Sequence, residues 1–520
     1  MRMIREFEQR IRGQGQAAGG NGVEPPPASG QASKEIESPL PSVEKTLEAA
    51  TRLIAMDPPT GEEFLRLALK VLGETQGAND LKLLEARIRA EGASPAPPPG
   101  ATAAKKANDA FFADDGVRSY EIELTEEALQ KLRSRPKSYV KGTFRSGEEV
   151  INEVGVRVKG SIGTFQPLEG ENKTGFAVKF NEFVAGQKFH GLTKIILNNA
   201  VQDPGYVSEL LAYELYREAG LPAPRVTFAN VAVNGRGFGL YVQVEAVTSG
   251  FLKSWFEDST GDLYEGPGDI TDWKELDLDS NPERAQREKV RDLASAAQKV
   301  IDGSSLKILG ELIDLDHLAK FLALEALMNH WDGYMAPNNY RLYRLPKGGD
   351  PDSQFWLIPH GADQVFQSPY ADAFRRAGGV LSQALLQTEE GSKLYERALE
   401  GILKTVWNPA RLRDSVERAY QRIRPHVLED ARRPYTLSAV EEGIHRMLAF
   451  FEDRRRFVTW QIRAQDDGQL SERLTQLMRS GGGPFAFGRG GPGGAGPGGD
   501  RLAPVGPGGA GGPPFGLFPR

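Results

Sequence analysis

The sequence predicts an α+β protein in two lobes, strand-rich first and helix-rich second, preceded by a small helical module. Three observations lead there. Residues 113–248 alternate apolar and polar side chains with period two around a single helical stretch. Residues 249–470 switch to helical spacing interrupted by one hairpin, and Gly/Pro-rich segments bracket the whole. With 520 residues of which 39% are apolar, the chain can bury a large core.

Residues 1–43 and 471–520 hold too little apolar content and too much Gly and Pro to order themselves, and are expected to be disordered. Residues 44–95 show helical spacing (Leu47, Leu53, Ile54, then Phe64, Leu65, Ala68) broken at Asp57-Pro58-Pro59, which predicts a small helical module. A Pro/Ala-rich linker, 96–112, follows.

The first lobe, 113–248, opens with "SYEIELT". In "VGVRVKGS" Val154, Val156 and Val158 alternate with polar or small residues, and in "GFAVKF" Phe176, Val178 and Phe180 do the same. "KIILNN" ends a further strand, and "YVSELLAYELYREAG" is a helix closed by Gly220. A hairpin turning through Asn234-Gly235-Arg236-Gly237 completes the lobe. In the second lobe, 249–470, the helix that ends near Trp331 is apolar on all sides (Leu318, Phe321, Leu322, Leu324, Leu327, Met328), which predicts burial.

Composition narrows the function. A net charge of −6 gives no electrostatic basis for nucleic-acid binding. Absence of cysteine excludes disulfides, thiolate metal sites and thiol nucleophiles. No run approaches the roughly 18 apolar residues a transmembrane helix needs, so no transmembrane segment is expected. The chain reads as soluble as written, with an extracytoplasmic location open if an N-terminal export signal has been removed. P-loop, H-E-x-x-H and G-x-S-x-G motifs are missing, and the six histidines are scattered without metal-ligand spacing, which reads as structural.

The chemistry concentrates in "NHWDGYMAPNNYRLY", Asn329–Tyr343. Asp332 follows the stiff helix, Gly333 and Pro337 make a loop, and Asn338 and Asn339 open a strand that runs to Leu345 and returns as "QFWLIP". A hairpin brings its open ends together, so Asp332, Asn338, Asn339 and Asp363 should converge. Two carboxylates with amide oxygens make a hard-oxygen site suited to Mg²⁺ or Mn²⁺. Each residue alone also fits an ordinary cap or turn.

"RVKGS", "FAVKF", "SELLAYELYREAGLPAPRV", "VNGRGFGLYVQVE", "NHWDGYMAPNNYRLY" and "LIPHGADQVF" occur in that order. On these motifs the chain resembles the spore-coat protein H (CotH) family of atypical kinases, over residues 113–465. The resemblance implies a two-lobed atypical protein-kinase-like fold, ATP with Mg²⁺ or Mn²⁺ as cofactors, and transfer of the γ-phosphate to a hydroxyl, with Ser or Thr of a protein substrate as acceptor. It leaves the oligomeric state open. By resemblance Asp332 is the catalytic acid or base, Asn338 or Asn339 the metal-binding amide and Asp363 the second metal ligand. Lys179 is the phosphate-pairing lysine, with Glu209 as its partner and Glu214 as competitor for that role. Glu245 falls at the link between lobes, near the adenine, and Lys159, Gly160, Ser161 and Gly163 form a phosphate-covering turn.

One position departs from the family pattern. Many members read Trp-Asp-x-Asp where this chain reads His360-Gly361-Ala362-Asp363, so Gly361 replaces a first carboxylate. That departure supports a rival reading as a catalytically inactive, nucleotide-binding scaffold. The tails and aromatic content suit a second rival, an extracellular surface or adhesion protein.

Overall fold

Apolar residues recurring every second position on seven strands close into a barrel. The computed structural model describes residues 111–466, apart from 114–115, 162, 267, 281–284, 347–353 and 376. The predicted segments 1–43, 44–95 and 471–520, with the linker up to residue 110, lie outside the described residues. The barrel strands are β1 (Arg118–Glu123), β2 (Val140–Ser146), β3 (Glu149–Lys159), β4 (Gly175–Lys179), β5 (Lys194–Asn198), β6 (Val226–Val233) and β7 (Arg236–Glu245). Their spatial order is β1-β2-β3-β4-β5-β7-β6, and a parallel pairing of β1 with β6 closes the ring. Val154, Val156, Val158, Phe176, Val178 and Phe180 all point into the barrel core, as their alternation predicts. Closure removes the free sheet edges.

Helix α1 (Glu126–Ser134) follows β1, and α2 (Ser208–Glu218) connects β5 to β6 on the outside of the barrel. Its Leu211, Ala212, Leu215 and Tyr216 are buried, and the Tyr216 ring packs 5.3 Å from that of Phe321. Those residues share one hydrophobic cluster with the helical half, so the core does not divide at residue 248.

The second half comprises α3 (Ser249–Trp255), β8 (Asp262–Glu265), β9 (Asp277–Leu278), α4 (Arg287–Ile301), α5 (Lys307–Gly310) and α6 (Leu315–Met328). It continues with β10 (Tyr340–Leu345), β11 (Gln354–Pro359), α7 (Val380–Leu386), α8 (Glu389–Thr405), α9 (Pro409–Glu429) and α10 (Leu437–Asp466). The expected hairpin is the β10–β11 half of a four-stranded sheet ordered β11-β10-β8-β9. Strands as short as β8 and β9 carry too few residues to display a period. Helix α6 is buried on every side from Phe321 onward, as its composition predicts, but it ends at Met328 rather than Trp331. Asn329 adopts the left-handed conformation there (φ 54°, ψ 48°), a geometry asparagine tolerates and one that stops the helix.

The fold is thus α+β, with one barrel and one mainly helical half. Among the described residues no helix is long and apolar enough to cross a membrane.

Candidate functional site

Residues opposite one another on neighbouring strands share a face of the sheet. On the outer face of the barrel, Lys159 pairs with Gly175, Phe176 opposite Leu197 sets Gly175 beside Asn198, and Asn198 pairs with Val242. One transverse row therefore reads Lys159, Gly175, Asn198, Val242. The bare glycine leaves room for Lys159 Nζ to donate to Asn198 Oδ1 at 2.6 Å. Asn198 Nδ2 in turn donates to Glu209 Oε2, from the first turn of α2. All four row residues line a cavity of about 690 Å³, together with Ser161, Gly163 and Glu209.

The facing wall comes from the helical half: Asp332, Asn338, Asn339, His360, Gly361 and Asp363. Two devices assemble it. The buried Glu325 carboxylate accepts hydrogen bonds from Tyr334 N (2.6 Å) and Met335 N (2.8 Å), which fixes the loop after α6. Hairpin closure, with Tyr340 opposite Pro359, then brings the segment after β11 beside the asparagines. Asn339 Nδ2 donates to Asp332 Oδ2 at 2.8 Å, whereas Asn338 is exposed at the rim. Asp332 Oδ1 is closed off from solvent without a well-formed hydrogen bond, and His330 Nε2 lies 3.4 Å from it.

Gly361 has a local explanation. Its φ is +58°, and a Cβ built there would fall 2.7 Å from Asn339 Cγ. A carboxylate at this position would displace Asn339, so glycine is what lets the asparagine approach Asp332.

The residues expected at the site divide into two groups. Lys159, Ser161, Glu209, Asp332, Asn338, Asn339 and Asp363 line one cavity. Lys179 does not: it lies on the correct face of β4 but four residues beyond Gly175, roughly 13 Å along the strand at the usual rise. There it pairs with Glu182 at 2.6 Å. Glu245 is also elsewhere, held by Arg225 through Nε (2.9 Å) and Nη2 (2.6 Å). Glu214 faces a different cavity, of about 820 Å³, shared with Arg217, Arg225, Arg418 and Arg422 behind α2. That space is larger, but its two glutamates, Glu214 and Glu417, share it with four arginines and it holds no aspartate or asparagine. His360, expected to be structural, lines the cavity with its Nε2 3.2 Å from Glu265 Oε1, whereas His330 is fully buried against Asp332. Asp203 also lines the cavity and was not apparent from motif reading, although its neighbouring Asn199 and Pro204 mark a turn just before α2.

Burial crowds negative charge here. It pushes Asp203 up to about 7, against the lowering effect of hydrogen bonds from Ser208. Burial also raises Glu209 and Asp363, each opposed by the positive charge of Lys159. Burial would lower His330, but Asp332 and Glu325 outweigh it and the imidazole is raised. Glu265 goes the other way: Arg341 and His360 overcome its burial and hold it well below the carboxylate range. Three buried carboxylates around one lysine leave an excess of negative charge that a cation would relieve.

The donor set fits a hard divalent ion. Asp332 and Asp363 offer carboxylate oxygens and the asparagines offer amide oxygens. Among the described residues no three acidic or imidazole side chains form a preassembled metal cluster, so an ion held here would draw further ligands from phosphate or water.

The family model described as CotH kinase protein matches residues 156–458. Inner spore coat protein H of Bacillus subtilis is 25% identical over 281 residues, covering 50% of this chain and 75% of that protein. The invasin CotH2 of Rhizopus delemar is 23% identical over 250 residues, and the invasin CotH3 of the same fungus 22% over 253. Each of those two matches spans 42% of this chain and 42% of the invasin. With more than half of its length matched by the family model, the chain belongs to the CotH family.

Proposed function

We propose that this chain is an ATP-dependent phosphotransferase with a two-lobed, atypical protein-kinase-like architecture, acting on a hydroxyl such as Ser or Thr of a protein. One observation carries the reading: Asp332, Asp363 and Asn339, gathered by hairpin closure, face Lys159 across a single cavity. Topology supports it. The β3–β4 hairpin with its glycine-bearing connection, followed by β5 and the acid-bearing α2, keeps the order in which kinases present a phosphate-covering loop and a helix glutamate, while Lys159 precedes that loop where the kinase lysine follows it.

In this reading Lys159, not Lys179, is the fixed positive charge toward the phosphates, and Asn198 links it to Glu209. Asp363 and an asparagine would hold Mg²⁺ or Mn²⁺, which when bound neutralises charge on the phosphate oxygens. Asp332 accepts the proton of the attacking hydroxyl as the new O–P bond forms and the bond from the γ-phosphorus to ADP breaks. Gly361 does not argue for an inactive scaffold, because the approach of Asn339 to Asp332 accounts for it.

The experiment is incubation with radiolabelled ATP, Mg²⁺ or Mn²⁺ and a generic acceptor protein. Asp332→Asn and Asp363→Asn are each expected to lower transfer by about 10²-fold or more with the fold retained by far-UV circular dichroism. Nucleotide binding without transfer in the unaltered protein favours the scaffold. A second reading follows from the relatives named invasins: a surface role, with an extracytoplasmic location. Glycan binding indifferent to divalent metal and nucleotide would support it instead.

A further inference from the structure

The connection between β3 and β4, residues 160–174 with 162 outside the described residues, lines the cavity beside Lys159, yet its far end is held by a segment distant in the chain. Lys173 and Asp430 form an ion pair with side-chain exposures of 2% and 1%, across 257 positions of sequence. Asp430, in the turn after α9, also accepts from Leu240 N at 3.0 Å and Arg432 N at 2.8 Å. Both of its oxygens are therefore used. Gly239 is part of the same device: at φ +81° it lets the carboxylate touch the β7 backbone, and a Cβ there would fall 1.9 Å from Asp430 Oδ1.

Arg432 continues the grip. Its Nη1 donates to Asn172 O at 3.0 Å, and its guanidinium stacks 4.1 Å over the Phe238 ring. From the loop the link passes inward: Asn199 Nδ2 donates both to Lys173 O (2.8 Å) and to Thr164 O (2.9 Å), spanning the loop beside the cavity. Tyr435, three residues past Arg432, donates to Val201 O at 2.6 Å and so ties down the adjoining segment that carries Gln202 and Asp203.

We infer that the turn between α9 and α10, through Asp430 and Arg432, is a positioning element of the nucleotide site: it holds the 160–174 loop in its covering position before any ligand arrives. This deepens the phosphotransferase reading and rests on it. An ordinary mobile flap must be ordered by the nucleotide at the cost of part of the binding energy. Here a buried charge pair and a buried arginine from the far end of the chain order it in advance. The helices after residue 409 then belong to the nucleotide-binding unit.

Two variants of the full chain test this, Asp430→Asn and the milder Arg432→Met, with the unaltered protein alongside. Hydrogen exchange over 160–174 is expected to speed up by about tenfold or more in both, with far-UV circular dichroism unchanged. The KM for ATP is expected to rise about tenfold with kcat within roughly threefold, a split that a general loss of structure would not produce. Unchanged loop exchange in a folded Arg432→Met protein overturns the inference, and so does a loosened loop with an unaltered KM. If the unaltered protein binds no nucleotide, the phosphotransferase reading fails and takes the positioning role with it. The exchange data would still show separately whether this turn restrains the loop.

Discussion

At the scale of single residues the most discriminating pair is Lys159 and Lys179. Both lie on the same outer face of the barrel, but only Lys159 shares a row with Gly175 and Asn198. Lys159→Met is expected to lower phosphoryl transfer by about 10²-fold, as loss of one fixed charge does in preorganised sites, while Lys179→Met stays within about threefold of the unaltered protein. Reversal of that order in steady-state rates would return the role to Lys179. Gly361 gives a second test. Gly361→Asp adds the carboxylate that the family resemblance leads one to expect, but at φ +58° and 2.7 Å from Asn339 it is expected to cost about 1–3 kcal/mol by urea denaturation and to weaken Mg²⁺-dependent ATP binding. A gain in metal affinity would show that the loop has room for the extra acid.

Among the elements, the segment from α6 to β11 does most to assemble the wall that carries Asp332, Asn339 and Asp363. Helix α6 supplies a support packed on all sides, Asn329 ends it, and Glu325 receives the two loop amides that set where Asp332 emerges. Glu325→Gln turns one acceptor into a donor facing a backbone N–H, so a loss of about 1–3 kcal/mol is expected, with faster exchange of the Tyr334 and Met335 amides. If stability and exchange stay unchanged, the loop is held by something else. The hairpin itself was legible: alternation in "NYRLYRL" and "QFWLIP" sets its register, and register brings Asn339 to the far end of the returning strand. Strands β8 and β9, which widen the sheet, were not, because four and two residues show no periodicity.

For the molecule as a whole, charge crowding has a measurable consequence. Asp203 keeps its proton up to about 7 in the folded chain and gives it up near the ordinary aspartate value of 3.8 when unfolded. Between those values the folded state binds more protons, so stability falls as pH rises from about 4 to about 7 and levels off above. Glu209 and Asp363, raised by burial, act with the same sign, as does the raised His330, whose contribution is lost as pH climbs through its folded value. His317, lowered to about 4 by burial, and His360, also lowered, act with the opposite sign, so the test is differential: between pH 5 and pH 7.5 the metal-free protein is expected to lose more urea stability than its Asp203→Asn variant, a difference that Mg²⁺ with ATP narrows. Identical pH profiles for the two proteins would remove the crowding argument.

The sequence by itself determined the local physics: α+β class, the buried α6, the hairpin with its acids and amides at the open end, and family membership through motifs kept in order. These are properties of neighbours in the chain, and hydrophobic period and turn chemistry report them directly. Only the tertiary structure decided which lysine meets the cavity, that Gly361 makes room for Asn339, that Asp203 and His360 line the cavity with His330 buried against Asp332, and that Asp430 reaches Lys173 across 257 positions. Alternation tells which face of a strand a side chain occupies and nothing about its position along that face relative to other strands. That position is set by the register between strands and by contacts between segments far apart in the chain.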